Sequence, residues 1–473
     1  MQHLITLKKI APIFNGILFP FQQDVLNWTQ VTPKGIIGLD MGLGKTVITV
    51  AMICAKNYRH VLIVLPLQIV EQWRKSILKF TNLTEKDICV YQGHSRKSAN
   101  LQSHRIVITT YDVVRYDMAD NQSKLFQAVN PKNLFDCMIL DEAHKLRNKK
   151  TATYASCCQL GHDLECKWLL TGTTIHNKFS DFGNLCGFLG LSHLTTSELR
   201  TKYYFRLTKT QCAQFIQLPE KSIHAHELRF EELDCEPTLH HETYLELYAE
   251  VKELYEDYLS DTTSVSFTCL LTKVLRLRQC CNHIDATLDE KHYQLENNRH
   301  DLLSSPKFDK TIQIINSAPK EDKLIIFSQW EHSLTLLSNH LLVNQIEYLT
   351  YNGSQDINVR NQILTQFRDG PARVLLITLT SGGVGLDMSF ANHVILLDSW
   401  WNQALEEQAI DRVYRIGQKK KVEVHRLYMQ DTIEAWMIKM KEEKHKIETV
   451  FHDDGQVYFA DKNMLSSLLH TYI

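Results

Sequence analysis

Short apolar runs alternate along this chain with longer segments of helical period. Each run spans six to eight residues and is rich in branched side chains. Such runs predict parallel strands buried on both faces, because a strand covered on both sides is apolar at successive positions. The predicted strands occupy residues 35–40, 60–66, 105–111, 137–144 and 166–173 in the first half, and 323–330, 346–353, 372–379, 392–399 and 422–429 in the second.

The strand signal disappears between about 178 and 302. This region is charge-rich and has helical period, as in residues 239–259. The order of elements predicts an α/β fold of two parallel-sheet lobes with a helical insertion between them. We therefore predict a first lobe over 1–177, the insertion over 178–302, a second lobe over 303–445 and a bracing tail over 446–473.

A loop containing two glycines follows the first predicted strand. Its sequence, LDMGLGKT (residues 39–46), lies between that strand and a segment of helical period. This order predicts a nucleoside-triphosphate site, in which backbone N–H groups and a helix N-terminus meet the phosphates. Lys45 would reach the β- and γ-phosphate oxygens, and the Thr46 hydroxyl would meet Mg²⁺. The strict pattern has glycine where this chain has Leu39, so on this segment alone a plain glycine turn is the alternative.

Two carboxylates end the fourth predicted strand. Asp141 and Glu142 occur in MILDEAH (residues 138–144). The carboxyl ends of parallel strands form the ligand-binding edge of an open α/β sheet. Asp141 is therefore predicted to hold Mg²⁺, directly or through water, and Glu142 to orient and deprotonate the attacking water. Taken alone, the pair is also compatible with a helix cap or a solvated turn, but the preceding phosphate loop favours the catalytic interpretation.

Two arginines, Arg412 and Arg415, lie near the end of the second lobe in DSWWNQALEEQAIDRVYRIGQ (residues 398–418). The segment has helical period, and the spacing predicts both arginines on one face of a helix. We interpret them as arginine fingers that act across a cleft between the lobes on the γ-phosphate held by Lys45. The alternative is a solvated helix on which the arginines pair with nearby carboxylates: Glu406, Glu407 or Asp411.

Composition indicates a globular protein without a strong overall electrostatic field. Of 473 residues, 44% are hydrophobic and 22% charged, and the net charge is −2. Any nucleic-acid contact must then come from a local patch, of which GQKKKVEVHR (residues 417–426) is the clearest. That run is equally compatible with an exposed turn. No apolar run approaches the ~18 residues that span a bilayer, so we expect no membrane contact.

Twelve cysteines occur without a C-x-x-C pair. This pattern predicts reduced thiols of an intracellular protein, with neither disulfides nor a zinc framework. The N-terminal residues mix charge and proline with apolar positions and lack the layout of a secretory signal.

The ordered set of motifs resembles the Swi/Snf-type ATPases, helicase-like DNA translocases of helicase superfamily two. Segments similar to the glutamine motif and to motifs I, Ia, II and III are LFPFQQDVLNW (18–28), LDMGLGKT, VLPLQIVEQW (64–73), DEAHKLRN (141–148) and LTGTTIHNK (170–178). Segments similar to the family's marker and to motifs IV, V and VI are LRLRQCCNH (275–283), IIFSQW (325–330), TSGGVGLDM (380–388) and QAIDRVYRIGQ (408–418). The compact build, without chromo-, bromo-, ring- or homeodomain-like segments, most resembles the global transactivator proteins of baculoviruses.

The resemblance implies that the lobes are RecA-like, and it implies roles for many residues. ATP binding is implied for the glutamine and the loop residues: Gln22, near the adenine, and Leu39, Asp40, Met41, Gly42, Leu43, Gly44, Lys45 and Thr46. Coupling of hydrolysis to movement is implied for Thr171, Gly172, Thr173, Gln408 and Gln418. Contacts with duplex DNA, mainly to its phosphates, are implied for Pro66, Thr110, Ser328, Asn352, Gly353, Thr378, Ser381, Gly382 and Trp401.

Several positions depart from the family pattern. They are Asp40 for glutamate, Thr174 for proline, Leu207 for arginine, Asp387 for asparagine and Gln403 for proline. None removes a group that hydrolysis needs. Motifs III and V serve coupling in relatives, so the departures bear on how hydrolysis drives movement.

The motifs and the resemblance together imply a double-stranded DNA translocase that uses ATP and Mg²⁺. It would remodel chromatin or displace DNA-bound proteins in transcription regulation. Its expected partners are duplex DNA and the nucleosomes or transcription proteins bound there; its expected location is the nucleus, of the host if the chain is viral. A monomer is compatible with the sequence.

Two alternatives stay open. A strand-separating DNA or RNA helicase shares the letters DEAH, but TGT and QAIDRVYRIGQ differ from the motifs III and VI of such helicases. A DNA-bound scaffold that no longer hydrolyses ATP is disfavoured because all five predicted catalytic residues are present.

Overall fold

The computed structural model describes most of the chain. The described residues are 12–130, 132–172, 179–216, 218–230, 232–233, 236–260, 267–287, 305–382, 386–400, 403–439 and 441. The predicted tail at 446–473 lies outside them, as do Thr173, Thr174 and Trp401. The chain forms two compact units: the first comprises Met1–Leu218 together with Val384–Leu386, and the second comprises Pro219–Gly383 and Asp387–Ile473.

A parallel sheet forms the centre of the first unit. Seven strands of the described chain belong to it: β1 (Gly35–Leu39), β2 (Val61–Leu65), β3 (Ile88–Val90), β4 (Ile106–Thr110), β5 (Cys137–Asp141), β6 (Cys166–Leu170) and β7 (Tyr204–Leu207). They pair in the order β3-β4-β2-β5-β6-β1-β7. Because β1, β2, β4 and β5 are buried at every position, groups that face a ligand must come from the points where these strands end.

Helices follow most strands of the first unit. Within its described residues they are α1 (Pro20–Val31), α2 (Lys45–Lys56), α3 (Val70–Phe80), α4 (Tyr111–Asp117), α5 (Lys124–Val129), α6 (Ala152–Leu160), α7 (Phe179–Phe188), α8 (Thr196–Lys202) and α9 (Lys209–Cys212). Five of them begin after a serine or threonine whose hydroxyl accepts a backbone N–H of the first turn, which satisfies a donor that the helix itself cannot. These capping residues are Thr110, Ser123, Thr151, Thr195 and Thr208.

The second unit has a parallel sheet of its own. After β8 (Lys221–Leu228), a short antiparallel pair, β9 (Glu232–Leu233) and β10 (Glu236–Pro237), stands apart from it. The other strands described in this sheet are β11 (Leu324–Ser328), β12 (Tyr348–Tyr351), β13 (Val374–Thr378), β14 (His393–Leu396) and β15 (Val422–Met429). They pair with β8 in the order β12-β13-β11-β14-β15-β8.

The helices of the second unit include two long ones before its central strands. Those with described bounds are α10 (Leu239–Ser260), α11 (Phe267–Cys280), α12 (Pro306–Ser317), α13 (Glu331–Val343), α14 (Ile357–Asp369), α15 (Leu379–Gly382) and α16 (Gln403–Ile410). In the described parts of both units, no helix is long and apolar enough to cross a membrane.

All ten predicted strands are present, and the two-lobe α/β class is confirmed. The prediction that strands are missing between 178 and 302 is wrong, because β7 joins the first sheet and β8 joins the second. Both lie at sheet edges, where a strand does not need the continuous apolar run that marks a central strand. β8 is largely exposed and polar, and β7 has only four residues.

The predicted helix over 398–418 is also wrong in its extent. α16 covers Gln403–Ile410, and turns follow it up to Gly417, whose φ is 106°. A left-handed glycine of this kind ends regular structure. Arg412 and Arg415 therefore lie in turns, and the argument that one helix face presents both of them fails.

Candidate functional site

The phosphate loop lies between β1 and α2, as the sequence predicts. Gly42 and Gly44 have φ values of 84° and 83°, which glycine adopts without the strain that a Cβ would bring. A Cβ at Gly44 would also lie 2.5 Å from the side-chain nitrogen of Gln22. Position 44 thus requires glycine twice, for the backbone turn and for the close approach of α1.

The predicted phosphate lysine lies over the start of its own loop. Lys45 Nζ donates to the carbonyl oxygen of Leu39 at 2.8 Å and lies 3.4 Å from that of Asp40. Thr46 follows in the first turn of α2 and is half-buried. The ammonium group and the hydroxyl are therefore brought to the end of β1, the sheet edge where nucleotide phosphates bind in open α/β folds.

Gln22 contacts the other side of the loop. Its Nε2 donates to the carbonyl oxygen of Leu43 at 3.0 Å, and its Oε1 accepts the backbone N–H of Phe19 at 3.0 Å. The side chain is buried, with 4% exposed. The structure thus places this predicted ATP-binding residue in direct contact with the phosphate loop.

The acidic pair lies where β5 ends, two strands from β1. Both carboxylate oxygens of Asp141 accept hydrogen bonds: Oδ2 from the indole N–H of Trp73 at 2.7 Å, and Oδ1 from the backbone N–H of Glu142 at 2.8 Å. The Tyr111 hydroxyl donates to the Asp141 carbonyl oxygen at 2.8 Å. Residues of α3 and α4 thereby fix the orientation of this carboxylate.

Burial and like charge act on the same pair. Asp141 and Glu142 are both buried, with 7% and 5% exposed. Burial, and then the Glu142 charge, raise the pKa of Asp141 to about 6, against the lowering effects of the Trp73 hydrogen bond and the Lys45 charge. Glu142 has a φ of 51°, a left-handed conformation that costs energy in a non-glycine residue and is common at functional sites. Its Oε2 lies 3.2 Å from His144 Nδ1.

The predicted coupling segment after β6 lies against the phosphate loop. The backbone N–H of Thr171 donates to the carbonyl oxygen of Ile37 in β1 at 3.2 Å. A Cβ at Gly172 would lie 3.1 Å from Met41 Cγ and 3.7 Å from Lys45 Nζ. A larger residue at 172 would therefore press on the loop, so this segment packs closely against the loop residues.

Two partners of the site were not predicted from the sequence. Trp73 lies in the motif Ia segment, but nothing local indicated that its indole would hold Asp141. Arg206 in β7 pairs with Asp40, with Nη2 2.7 Å from Oδ1. The only sequence signal for Arg206 was its position beside Leu207, where the family usually has arginine.

Arg412 and Arg415 differ in their surroundings. Arg412 is buried, with 5% exposed, and its carbonyl oxygen accepts the Met388 N–H at 3.0 Å. Arg415 Nη1 lies 3.7 Å from Asp387 Oδ1. The acidic residue that replaces the family's asparagine thus pairs with one of the two predicted fingers. Their catalytic role stays a prediction.

The two predicted coupling glutamines of motif VI, Gln408 and Gln418, both lie in the second unit and are buried there. Gln418 Nε2 donates to the Ala391 carbonyl oxygen at 2.6 Å, and its Oε1 accepts the N–H groups of Lys419 and Lys420, both at 2.8 Å. Gln408 is buried in α16. Gln418 therefore holds the turn that leads into β15.

The predicted DNA-contact residues of the first unit follow neighbouring strands. Pro66 comes directly after β2, and Thr110 ends β4 opposite Leu65. Thr110 is buried, with 5% exposed, and its hydroxyl caps α4 by accepting the Val113 N–H at 3.3 Å. This side chain already has a structural role, so a DNA contact here would have to come from the backbone.

Four predicted DNA-contact residues lie close to the ends of β12 and β13. The Thr378 hydroxyl donates to Ser381 Oγ at 2.8 Å, and both residues are buried. A Cβ at Gly353 would lie 3.2 Å from Ser381 Oγ. Gly382 follows at the end of α15. The structure brings these residues together, and their contact with DNA stays a prediction.

The other two predicted DNA contacts in the second unit bond to carboxylates. Ser328 ends β11, is fully buried, and donates to Asp398. The Asn352 side chain donates to Glu331. As in the first unit, polar side chains at strand ends are engaged within the protein.

The basic run at 417–426 is largely neutralised. Lys420 Nζ lies 2.5 Å from Asp322 Oδ1, and Lys421 Nζ lies 3.0 Å from Glu423 and 3.5 Å from Glu220. These pairings favour the alternative of an exposed turn over a cationic patch.

Comparison with known families decides the relationship. Residues 21–286 match the model of the SNF2-related domain, and residues 306–417 match the helicase conserved C-terminal domain. The chain belongs to the SNF2 family. It is therefore a helicase-like, DNA-dependent ATPase, and its two parallel sheets are the family's tandem RecA-like lobes.

Individual relatives resemble this SNF2-family chain over most of its length. A "Probable global transactivator" of Orgyia pseudotsugata multicapsid polyhedrosis virus is 27% identical over 92% of the chain and 90% of that protein. The ISWI chromatin-remodeling complex ATPase ISW2 of Saccharomyces cerevisiae is 26% identical over 93% of the chain. Transcription termination factor 2 of Drosophila melanogaster is 26% identical over 90% of the chain.

The relatives differ in length from this chain. It spans 41% of the yeast protein and 56% of the fly protein, against 90% of the viral one. Among solved structures, a Sulfolobus solfataricus SWI2/SNF2 ATPase core in complex with dsDNA is 24% identical, covers 93% of the chain and 94% of its own, and has a TM-score of 0.40.

Proposed function

We propose that this chain is an ATP-driven translocase on double-stranded DNA that remodels chromatin or displaces DNA-bound proteins, acting in transcription regulation. The observation that carries the proposal is the combination of an intact nucleotide site with a coupling segment in contact with it. Gly172 lies against the loop residues Met41 and Lys45. A motor needs such a contact, because hydrolysis can do work only if the occupied and empty loops favour different conformations.

The residues of the first unit fit a magnesium ion. Asp141 and Glu142 are buried carboxylates side by side, and burial, followed by the Glu142 charge, raises the pKa of Asp141. Mg²⁺ prefers oxygen ligands and is usually held by one or two carboxylates together with phosphates and water. Asp141 and the Thr46 hydroxyl would hold it, and the ion would neutralise charge on the β- and γ-phosphates.

The protein's own groups then have separable tasks. Lys45 would exchange the carbonyl oxygens of Leu39 and Asp40 for phosphate oxygens. Glu142, held in its left-handed conformation beside Asp141, would accept a proton from the attacking water. Trp73 would keep the Asp141 carboxylate oriented, which matters because misplacement by about 1 Å can cost two orders of magnitude in rate.

The names of the relatives support DNA as the polymer along which the protein would move. One is named a chromatin-remodeling ATPase, one a transcription termination factor and one a global transactivator. The strand-end residues implied for DNA contact are mostly buried and bonded within the protein. Contacts from backbone N–H groups to phosphates would be indifferent to base sequence.

The first experiment is ATP hydrolysis at one fixed low salt concentration, alone and with duplex DNA, single-stranded DNA or RNA. Stimulation by duplex alone supports the proposal. Stimulation by single strands or RNA would support a strand-separating helicase instead. A chain that binds duplex DNA and hydrolyses no ATP under any condition would be a scaffold.

Lys45→Ala is the matched control for this assay. The variant should lose hydrolysis and still bind duplex DNA, because the Lys45 ammonium group bonds to carbonyl oxygens of the phosphate loop and is not among the residues implied for DNA contact. Movement itself is tested by displacement of a third strand from a DNA triplex. ATP-dependent displacement by the wild type but not by the variant shows translocation, whereas duplex-stimulated hydrolysis without displacement would remove that part of the proposal.

A further inference from the structure

We infer that Arg206 is a positioning residue for ATP hydrolysis, and that it acts through Asp40. Its guanidinium holds Asp40 at the head of the phosphate loop, and Asp40 in turn holds the start of α9. A change in the conformation of the loop can thereby change the conformation of α9. The inference rests on the ATP hydrolysis of the family and not on DNA translocation.

The guanidinium of Arg206 bridges β7 and the end of β1. Nη2 lies 2.7 Å from Asp40 Oδ1. Nη1 donates to the Gly38 carbonyl oxygen at 2.9 Å and lies 3.3 Å from that of Leu207. One planar group thus reaches both the loop carboxylate and the backbone of the two adjacent strands, which a lysine could not do at once.

Asp40 uses every polar group it has. Its Oδ2 accepts the backbone N–H of Lys209, the first residue of α9, at 2.9 Å. Its own N–H donates to the Leu207 carbonyl oxygen at 3.0 Å. Its carbonyl oxygen lies 3.4 Å from Lys45 Nζ. A single residue therefore links the phosphate lysine, strand β7 and the helix that follows β7.

The pairing of the two strands explains why Arg206 can reach this far. Gly38 lies opposite Arg206, and Leu39 lies opposite Leu207. A Cβ at Gly38 would lie 2.3 Å from the Tyr204 ring, so only glycine fits there. The next pair along the two strands, Leu39 and Leu207, is apolar. Arg206 and Asp40 form an ion pair where the two strands end.

The Arg206–Asp40 ion pair contributes too little to the free energy of unfolding for its loss to unfold the unit. Arg206 and Asp40 have 30% and 25% of their side chains exposed. An ion pair that is solvated to this extent contributes at most about 1 kcal/mol to stability. Loss of the pair should therefore leave the unit folded, while freeing the loop residue that adjoins Lys45.

The connection leads toward the second unit along the chain. α9 ends at Cys212, and the first unit ends at Leu218. When Lys45 moves from the Asp40 carbonyl oxygen to a phosphate, Asp40 loses one of its contacts, and the remaining ones with Arg206 and Lys209 decide whether it stays in place. The pair is thus the point at which nucleotide binding can change the conformation of residues 209–216.

The test compares Arg206→Ala, Arg206→Lys and Asp40→Asn with a matched control, Arg200→Ala. Arg200 is an exposed arginine of α8 in the same unit. We expect Arg206→Ala to lower kcat by roughly tenfold, with a smaller change in KM and an unchanged Tm. Arg206→Lys should restore part of the rate, and Arg200→Ala should match the wild type.

Two further measurements test whether Arg206 and Asp40 act on the hydrolysis rate through the same link or independently. The double variant Arg206→Ala/Asp40→Asn should be no slower than the worse single variant, because both changes break one link. Hydrogen exchange at the Lys209 amide should be several-fold faster in Arg206→Ala, since Asp40 no longer holds that N–H.

The inference is overturned if Arg206→Ala keeps the wild-type kcat, or if the two changes are additive in their effect on rate. It is also overturned if the rate falls only in proportion to a lower Tm. If the wild type hydrolysed no ATP at all, the proposed function would fail, and binding of a fluorescent ATP analogue with Lys209 exchange would still test the pair. Wild-type exchange in Arg206→Ala would then reject it.

Discussion

At the scale of single residues, the site contains residues with strained backbone conformations and side chains that are buried away from solvent. Glu142 is left-handed, Asp141 is buried beside it, and Gly44 fits only without a side chain. These features restrict the conformations of the predicted catalytic groups. The arginines of the second unit offer the clearest residue-scale tests, because one is buried and the other is paired.

Arg415→Ala should lower kcat by about three orders of magnitude, the effect of an arginine finger, and should change ATP affinity little. Arg415 is partly exposed, so the substitution does not leave a buried cavity. Single-turnover hydrolysis and nucleotide titration measure the two quantities. A collapse of affinity with an unchanged rate per bound ATP would contradict the finger role.

Asp387→Asn should raise kcat by up to about fivefold. Asp387 Oδ1 lies 3.7 Å from Arg415 Nη1, and a solvated pair of this kind is worth no more than about 1 kcal/mol. Arg415 must leave this carboxylate in order to act on a phosphate, so the neutral amide lowers the cost of leaving. Steady-state hydrolysis is the measurement.

Asp369→Asn is the matched control for that prediction. Asp369 pairs with Arg368 at 2.9 Å on the surface of the same unit. It should leave kcat unchanged. If both asparagine variants raise the rate equally, or Asp387→Asn lowers it, the pair does not restrain Arg415.

At the scale of elements, the outer strand β8 adds a row of histidines to the second sheet. The ring of His425 in β15 stacks with those of its neighbours, with centroid distances of 5.1 Å to His224, 5.3 Å to His226 and 5.9 Å to His393. His226 Nε2 and His425 Nδ1 lie 3.1 Å apart. One of these two nitrogens must carry the proton and the other accept it, which requires that at least one ring is neutral.

Burial, and then the charges of His226, His393 and His224, lower the pKa of His425 to about 3. Burial, followed by Lys310 and His224, also lowers the pKa of His226. The carboxylates facing the row bind its outer members: Glu423 lies 2.6 Å from His224, and Asp322 lies 3.1 Å from His393. The centre of the row therefore stays neutral where an unfolded histidine is already protonated.

The sign of the resulting pH dependence follows. The unfolded chain takes up a proton at His425 below its ordinary pKa of 6.5, and the folded chain does not until about 3. Stability contributed by the neutral ring is thus complete above pH 6.5 and is lost as the pH falls through this window. At pH 5 one such histidine accounts for at most about 2 kcal/mol, and for about 1 kcal/mol when it is partly exposed.

His425→Gln should flatten this dependence by about 1 kcal/mol between pH 7.5 and pH 5.0. Urea unfolding of the whole chain at the two pH values measures it. The control is His162→Gln, because His162 is 84% exposed in the first unit. An equal acid sensitivity of wild type and His425→Gln would contradict the prediction.

Most of the strands that the sequence predicted are buried on both faces. β1, β2 and β11 are apolar at nearly every position, so their pattern is set by burial alone. β3, β7 and β8 were missed because a three-residue strand, a four-residue strand and an exposed edge strand carry no such pattern. The end of α16 was misplaced because the helical period of the sequence continues beyond Ile410, whereas residues 411–417 form turns in the structure.

The site divides in the same way. The phosphate loop is a run of consecutive residues, and so is the Asp141–Glu142 pair. The order of these two motifs along the chain indicated their chemistry. The Trp73–Asp141 and Arg206–Asp40 contacts join residues that only the order of strands brings together. Contacts of this kind depend on sheet topology, which local patterns do not encode.

At the scale of the whole molecule, each unit has a hydrophobic core of its own, and the second unit also has a buried polar anchor. In the second unit, Lys307 is fully buried, and its ammonium group donates to Glu434 at 2.7 Å, to Asn282 at 2.9 Å and to the Leu397 carbonyl oxygen at 2.9 Å. All three N–H donors are satisfied. Units with separate cores can unfold in separate steps.

Lys307→Met should therefore destabilise the second unit by about 3–5 kcal/mol, because it leaves the Glu434 carboxylate buried without its partner. The first unit should unfold at the same urea concentration as in the wild type. Hydrogen exchange by mass spectrometry along a urea series, read on peptides from β5 and from β14, measures both transitions in one sample.

Two further variants separate loss of the ion pair from loss of a lysine. Lys320→Met removes an exposed lysine of the same unit and should leave both transitions in place. Lys307→Met/Glu434→Leu should recover much of the lost stability, since replacing both members of a buried pair by apolar groups is often neutral. If peptides of both units shift together in Lys307→Met, the chain unfolds as one cooperative body, and stability and motor function could not be altered in one unit alone.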